Sequence, residues 1–394
     1  MTGAVRIAGS GGRIHGCSEG VRILASTRKA ELKEGHGIRK PLPPETFVDF
    51  RNGEAEPGDP TGDRAFNAEM RWEAMAGEGY LTPVGNFFVR SHAATPGIDS
   101  AEWTLRVEGT GVERALDLGY DDLSRMPQVS IVRALECAGN GRAFFEELQG
   151  RQTEGTPWRL GAVGVAEWTG VPLREVLERA GLKDTAREVM LESLDAARMR
   201  RPLPVEKAVE DGTLLAFGMN RETLVPDHGF PVRAVVSGWA AVASVKWLGR
   251  IHVSEMPLSS PWSTDKYVLT GGELGARREP VTLRGVKSAL ELPWPARISQ
   301  GKNTIHGRSW SGHGAISRVE YSVDGGPWRE VRLFGPNVSG AWARWSFEWD
   351  AAPGEHEVRV KAADDLGNMQ PDTVPWNDLG YLYDGVVGHP ISVR

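Results

Sequence analysis

From about Tyr80 onward, apolar and polar residues alternate in short runs separated by turn-forming residues, which predicts β-strands rather than long helices. Gly85–Arg90 (GNFFVR), Trp103–Val107 (WTLRV) and Val129–Arg133 (VSIVR) are such runs. One helical period stands out, in Val171–Gly181 (VPLREVLERAG). There Leu173, Val176, Leu177 and Ala180 share a face, Pro172 suits the first turn and Gly181 suits the end. Many short strands with few helices predict an α+β domain, assigned here to residues 41–270.

The passage Gly271–Pro280 (GGELGARREP) reads as a linker, and beyond it the pattern turns almost wholly β. Val319, Tyr321 and Val323 alternate with polar residues and run into Asp324-Gly325-Gly326, a hairpin-turn signal. Trp345, Phe347 and Trp349 share one strand face, Val358 and Val360 another, with Pro353-Gly354 as the turn between those strands. Strands at this spacing predict an immunoglobulin-like β-sandwich over residues 281–394. At the other end, residues 1–40 are rich in Gly, Ser, Arg and Lys without an apolar period, and read as a flexible extension. Pro41–Asp63 is Pro- and Gly-dense and reads as an irregular arm.

A length of 394 residues is enough for two or three domains with their own cores. No run approaches the ~20 consecutive apolar residues of a membrane-spanning helix, so no membrane partner is expected. The net charge of -6 argues against nucleic-acid binding. It also means that an anionic substrate must be held by local cations rather than by the field of the whole chain. With two cysteines, Cys17 and Cys137, there is no disulfide framework, and neither has zinc- or haem-attachment spacing. The N-terminus shows neither an apolar leader segment nor a twin arginine ahead of one. A cytoplasmic location is therefore expected, or a periplasmic one if a leader was removed.

The most unusual local sequence is Leu135–Arg142 (LECAGNGR), in which a β-type run opens into small residues. Cys137 should therefore sit at a strand end or on a loop, where backbone can approach a bulky ligand closely. A thiolate is a soft ligand for a transition metal, and Arg142 supplies a positive neighbour. On residue type alone the first reading of Cys137 is a buried thiol acting as a small hydrophobe, and a catalytic nucleophile is a further alternative to a metal ligand.

Four segments occur in order: Phe88-Val89-Arg90-Ser91-His92, Cys137-Ala138-Gly139-Asn140, Pro226–Arg233 (PDHGFPVR), and Gly238-Trp239 through Ser244–Leu248 (SVKWL). Together they resemble the sulfite oxidase family of molybdenum–pterin enzymes, from about residue 80 to the C-terminus. The predicted sandwich corresponds to that family's dimerisation domain. The resemblance implies that Cys137 is the thiolate ligand of a molybdenum otherwise held by the dithiolene of molybdopterin, while Cys17 has no counterpart. It implies that Phe88 to His92 line the pterin, Phe88, Arg90 and His92 foremost, with Arg90 reaching towards the metal. His228 and Arg233 would grip the phosphate end, and Ser244, Val245 and Lys246 would add contacts. Asp195, in Leu194-Asp195-Ala196, would accept from the pterin amino groups. Phosphate and pterin edges call for cationic donors of fixed geometry.

For the substrate, the resemblance implies a sulfite anion beside Arg90 and Arg142, a wall formed by Trp158, and a hydrogen bond from Tyr267. The implied reaction is oxygen-atom transfer that turns sulfite into sulfate, with the cofactor carrying the difficult chemistry. A homodimer through the C-terminal domain is expected. No haem-attachment pattern is visible in this chain, so electrons should pass to an external acceptor, a cytochrome or oxygen. One departure counts. Many sulfite oxidases carry a further pocket arginine after a Trp-Asn pair, and here that stretch reads Trp376-Asn377-Asp378-Leu379-Gly380-Tyr381. Related substrates (sulfane sulfur, sulfoxide or nitrate) and a non-catalytic cofactor-binding role therefore stay open.

Overall fold

The computed structural model describes residues 43–50 and 65–394. The expectations for residues 1–40, for Cys17 and for most of the Pro41–Asp63 arm lie outside the described residues.

Two five-stranded sheets build the first part of the chain. In one, Val129–Glu136, Val163–Pro172 and Thr213–Met219 run antiparallel side by side, and Arg233–Val236 also pairs with Thr213–Met219. Every residue of Thr213–Met219 and all but one of Val163–Pro172 are buried. Both faces of those strands are covered, so their sequences are continuously apolar instead of alternating. In the other sheet Leu248–Ser254 lies between Thr104–Glu108, to which it is parallel, and Glu188–Ser193, to which it is antiparallel.

The helix runs over Leu173–Arg179 and buries Leu173, Val176 and Leu177 completely in the core shared by the two sheets. Burying each of those side chains contributes ~1.5–3 kcal/mol. Pro172 does not occupy the first turn as expected. It is the N-cap and also the last residue of the preceding strand, and a proline suits both places because neither requires its missing N–H. Gly181 lies just beyond the C-cap at φ 74°. The expected strand Gly85–Arg90 shrinks to Val89–Arg90, preceded by a 3-10 turn over Val84–Asn86. Phe87 and Phe88 are both buried, which alternation along a half-covered strand would not allow.

In the C-terminal part a four-stranded and a five-stranded sheet face each other. Val319, Trp345, Phe347, Val358 and Val360 fill the space between them, with Tyr321 stacked on Phe347 at 3.8 Å. Trp342–Ala351 belongs to the first sheet and Gly354–Asp364 to the second, so the turn at Pro353-Gly354 carries the chain from one layer to the other. The hairpin at Asp324-Gly325-Gly326 closes as expected, with Tyr321 opposite Arg329. The Gly271–Pro280 passage is not an extended linker. Its end folds back so that Glu279–Pro280 pairs with Val268–Leu269.

The two parts share a core. Met70, Trp72, Phe144 and Phe145 pack with Trp310, Trp342 and Tyr383, and Trp72 stacks on Trp310 at 5.8 Å. No described helix is long and apolar enough to cross a membrane.

Candidate active site

Loops at the ends of the two catalytic sheets surround a cleft with ≈ 690 Å³ of empty space. Phe88, Arg90, His92, Cys137, Asp195, His228, Arg233, Ser244, Val245, Lys246 and Tyr267 all line it, brought together from segments more than a hundred residues apart. Cys137 is the first residue after the strand Val129–Glu136. Its N–H donates to the Ala162 carbonyl at 2.9 Å, which ties it to the start of the neighbouring strand.

Gly229 explains how two cations meet on one wall. It sits at φ 106°, and a Cβ there would lie 2.9 Å from Arg233 Cβ and 3.1 Å from Lys246 Cβ. Arg233 donates to the carbonyls of His228 and Ser244, each at 3.0 Å, and lies over the Trp168 ring. Lys246 Nζ donates to Ser91 Oγ at 2.8 Å and to the Asp227 carbonyl at 2.9 Å, 4.2 Å from the Trp247 ring centroid. Among the described residues neither cation is within ion-pairing distance of a carboxylate. Burial, reinforced by the neighbouring Arg233, pushes the Lys246 ammonium down to about 7, and burial pushes Arg233 down to about 9. Asp227 and Asp195 act on Lys246 from farther off, in the opposite sense, and buried cations whose direct hydrogen-bond partners are neutral are costly until an anion arrives. Such a wall can hold an anionic group, and the Cys137 thiol in the same cleft can ligate a soft metal.

Arg90, His92 and Tyr267 form a chain of contacts on the rim. Arg90 Nη2 lies 2.9 Å from His92 Nδ1, and His92 Nε2 lies 2.7 Å from Tyr267 Oη. A guanidinium can only donate, so Nδ1 accepts and the imidazole proton sits on Nε2, which donates to the phenol oxygen. The Tyr267 O–H is thereby left to donate elsewhere. Burial holds the phenol well above its ordinary range; Tyr381 and Cys137 push the same way, against Arg90 and Arg142. It therefore acts as a neutral donor.

Burial, with Arg90, Lys266 and Lys246 nearby, holds His92 well below its ordinary 6.5. A titration followed by NMR is expected to show His92 still neutral at pH 6.5; a midpoint at or above that value would contradict the geometry. Below pH ~6.5 the unfolded chain takes up a proton that folded His92 refuses, so this residue makes stability decline in acid.

Two expected residues lie outside the cleft. Arg142 is buried, with Nη1 donating to the Thr156 carbonyl at 2.8 Å and Nε to the Leu379 carbonyl at 3.0 Å. Its guanidinium lies 5.0 Å from the Tyr381 ring, and Tyr381 in turn stacks on Tyr267 at 5.0 Å, so Arg142 stands one ring behind the rim. Trp158 is fully buried, edge-to-face with Phe50, in the cluster that also holds Phe88 and Cys137. It backs the thiol and does not wall the cleft. Sequence reasoning missed Asp227 as a lining residue, although it lies inside the quoted Pro226–Arg233 motif. The sequence pointed to Tyr381–Asp384 as a stretch that reshapes the rim, but not to Tyr267 as the ring on which Tyr381 stacks.

The family model described as the oxidoreductase molybdopterin binding domain matches residues 92–262, and the Mo-co oxidoreductase dimerisation domain matches 285–385. Sulfite oxidase of Gallus gallus is 34% identical over 403 residues, covering 94% of this chain and 85% of that one. The mitochondrial sulfite oxidase of Macaca fascicularis is 37% identical over 346 residues. That match takes in 81% of this chain, which spans 63% of the macaque protein's length. A nitrate reductase [NADH] of Ulva prolifera is 31% identical over 359 residues, 81% of this chain and 41% of its own. Among solved structures, the sulfane dehydrogenase SoxCD from Paracoccus pantotrophus superposes with a TM-score of 0.79 at 28% identity, over 90% of this chain and 93% of that chain. Motifs, cleft and comparisons agree: the chain belongs to the sulfite oxidase family of molybdopterin oxidoreductases.

Proposed function

We propose that this molybdenum oxidoreductase converts sulfite and water to sulfate, two electrons and two protons. The observation that carries the reading is a thiol opening into a cleft that also holds Arg233 and Lys246 without carboxylate partners, with Arg90, His92 and Tyr267 on its rim. In this reading Cys137 ligates the metal. Arg233, Lys246 and His228 hold the phosphate end, Asp195 accepts from the pterin amino groups, and Phe88, Ser244 and Val245 complete the wall. When bound, the molybdenum–pterin group supplies the two-electron oxygen-atom transfer.

Arg90 presents a planar, permanently charged group to the sulfite anion. Tyr267 donates a hydrogen bond to a substrate oxygen, with its own oxygen held by His92. Electrons leave to an external acceptor, a cytochrome or oxygen. The C-terminal domain pairs two copies of the chain, so light scattering is expected to give a dimer at micromolar concentration.

A second reading has a specific observation behind it. The stretch Trp376-Asn377-Asp378-Leu379-Gly380-Tyr381 holds no arginine, and its Tyr381 stacks on Tyr267, so it adds aromatic surface and no cation to the rim. Such a rim favours a less charged sulfur substrate, and the similar solved structure is a sulfane dehydrogenase. A panel of sulfite, a sulfane-sulfur donor, a sulfoxide and nitrate, assayed on molybdenum-loaded protein with dye acceptors or donors, separates the readings. Sulfite is expected to lead in kcat/KM by ~100-fold or more, the discrimination that a site built on specific polar contacts supplies. A sulfane donor in the lead would install the second reading, and turnover of none of them would leave a cofactor-binding protein.

A further inference from the structure

Glu136 is the last residue of its strand and immediately precedes Cys137. Its carboxylate is 1% exposed, yet all its close donors are accounted for. Oε1 takes Lys287 Nζ at 2.8 Å and Asn140 Nδ2 at 2.9 Å. Oε2 takes Trp310 Nε1 at 2.9 Å, with Arg284 Nη1 at 3.6 Å. Arg284, Lys287 and Trp310 all come from the C-terminal part of the chain. Lys287 also donates to the Asn140 carbonyl at 2.6 Å, so one ammonium grips both ends of the Glu136–Asn140 loop. The same part of the chain reaches the loop a second time, where Leu382 N–H donates to the Ala138 carbonyl at 2.9 Å.

Packing alone does not call for this arrangement. Buried ion pairs can be replaced by apolar side chains of similar volume with little loss of stability, whereas a fully satisfied charged network fixes direction. Here the direction fixed is that of the strand end from which Cys137 projects.

We propose that Lys287, acting through Glu136 and Asn140, is a positioning residue for Cys137. The dimerisation domain thus serves as the outer mount of the metal-ligand loop. This rests on the reading of Cys137 as the molybdenum ligand. The mount makes no contact with the substrate, so its loss should act on turnover and on the metal's electronic structure more than on KM.

The test compares wild type with Lys287→Met and Lys287→Arg. In loaded protein, Lys287→Met is expected to lower kcat by ~10–100-fold, the usual scale for a group behind a metal ligand. KM should stay within about threefold, the electron paramagnetic resonance signal of the half-reduced metal should shift, and Lys287→Arg should restore most of both. In cofactor-free protein, amide exchange at Asn140 and Arg142 should quicken by about tenfold or more, as a charge-assisted hydrogen bond to the loop is lost. A folded Lys287→Met with unchanged resonance and unchanged exchange overturns the proposal. If Lys287→Met does not fold, Trp310→Phe and the charge-neutral pair Glu136→Gln/Lys287→Met carry the same measurements and are read in the same way. If wild type itself holds no molybdenum, the metal reading falls, while the exchange comparison still decides the mount.

Discussion

Cys137→Ser is expected to abolish sulfite-dependent turnover, by ~10³-fold or more, the scale seen when a group at the reacting centre is removed. The exchange is nearly isosteric, so the loss would come from chemistry, because an alcohol at this position is a far poorer ligand for a soft metal centre than a thiolate. The fold should tolerate it. Cys137 is 7% exposed and packs beside Phe88, Leu135 and Trp158, and a polar replacement there should cost about 1 kcal/mol. For a domain of this size that is a fall of about 2–4 °C in Tm. Activity assays beside thermal melts check both halves. Parallel losses of activity and stability would return Cys137 to a packing role.

Lys246→Met is expected to lower cofactor occupancy by ~10–100-fold, the value of a lost hydrogen bond to a charged group, while leaving the cofactor-free protein at least as stable as wild type. Burial holds the ammonium at about 7, against 10.5 for an ordinary lysine. Between those values the unfolded chain carries a proton that the folded chain lacks. Stability of the cofactor-free protein should therefore rise as pH increases from about 7 to about 10.5, by at most about 1.4 kcal/mol per unit. An anionic cofactor requires the charged form, so its binding should weaken over the same window. Lys246→Met should flatten both dependences. Pterin content per protomer and melts across that pH range measure them; a pH-independent wild type would show that Lys246 faces no anion.

The cleft was legible largely because its cations and its thiol lie in contiguous motifs whose backbone geometry is local, as at Gly229, where a missing Cβ brings Arg233 to Lys246. The positions of Arg142 and Trp158 are decided by distant partners. Arg142 is drawn off by the Leu379 carbonyl, 237 residues away, and Trp158 is covered by Phe50. Strand pattern failed at Phe87-Phe88 because both faces of that segment are covered, and at Gly271–Pro280 because a Gly- and Arg-rich composition does not reveal pairing with Val268–Leu269. The sandwich was easier to read. Val319 is buried in its core and Tyr321 and Val323 pack partly buried against it, although Ser322 between them is buried as well.

The most direct test of the central claim is metal and pterin analysis of protein made in a cofactor-competent host, joined to a sulfite-dependent dye-reduction assay on the same sample. Near-stoichiometric molybdenum and pterin with sulfite turnover is the predicted result. Protein that folds, dimerises and yet holds neither molybdenum nor pterin would contradict the account.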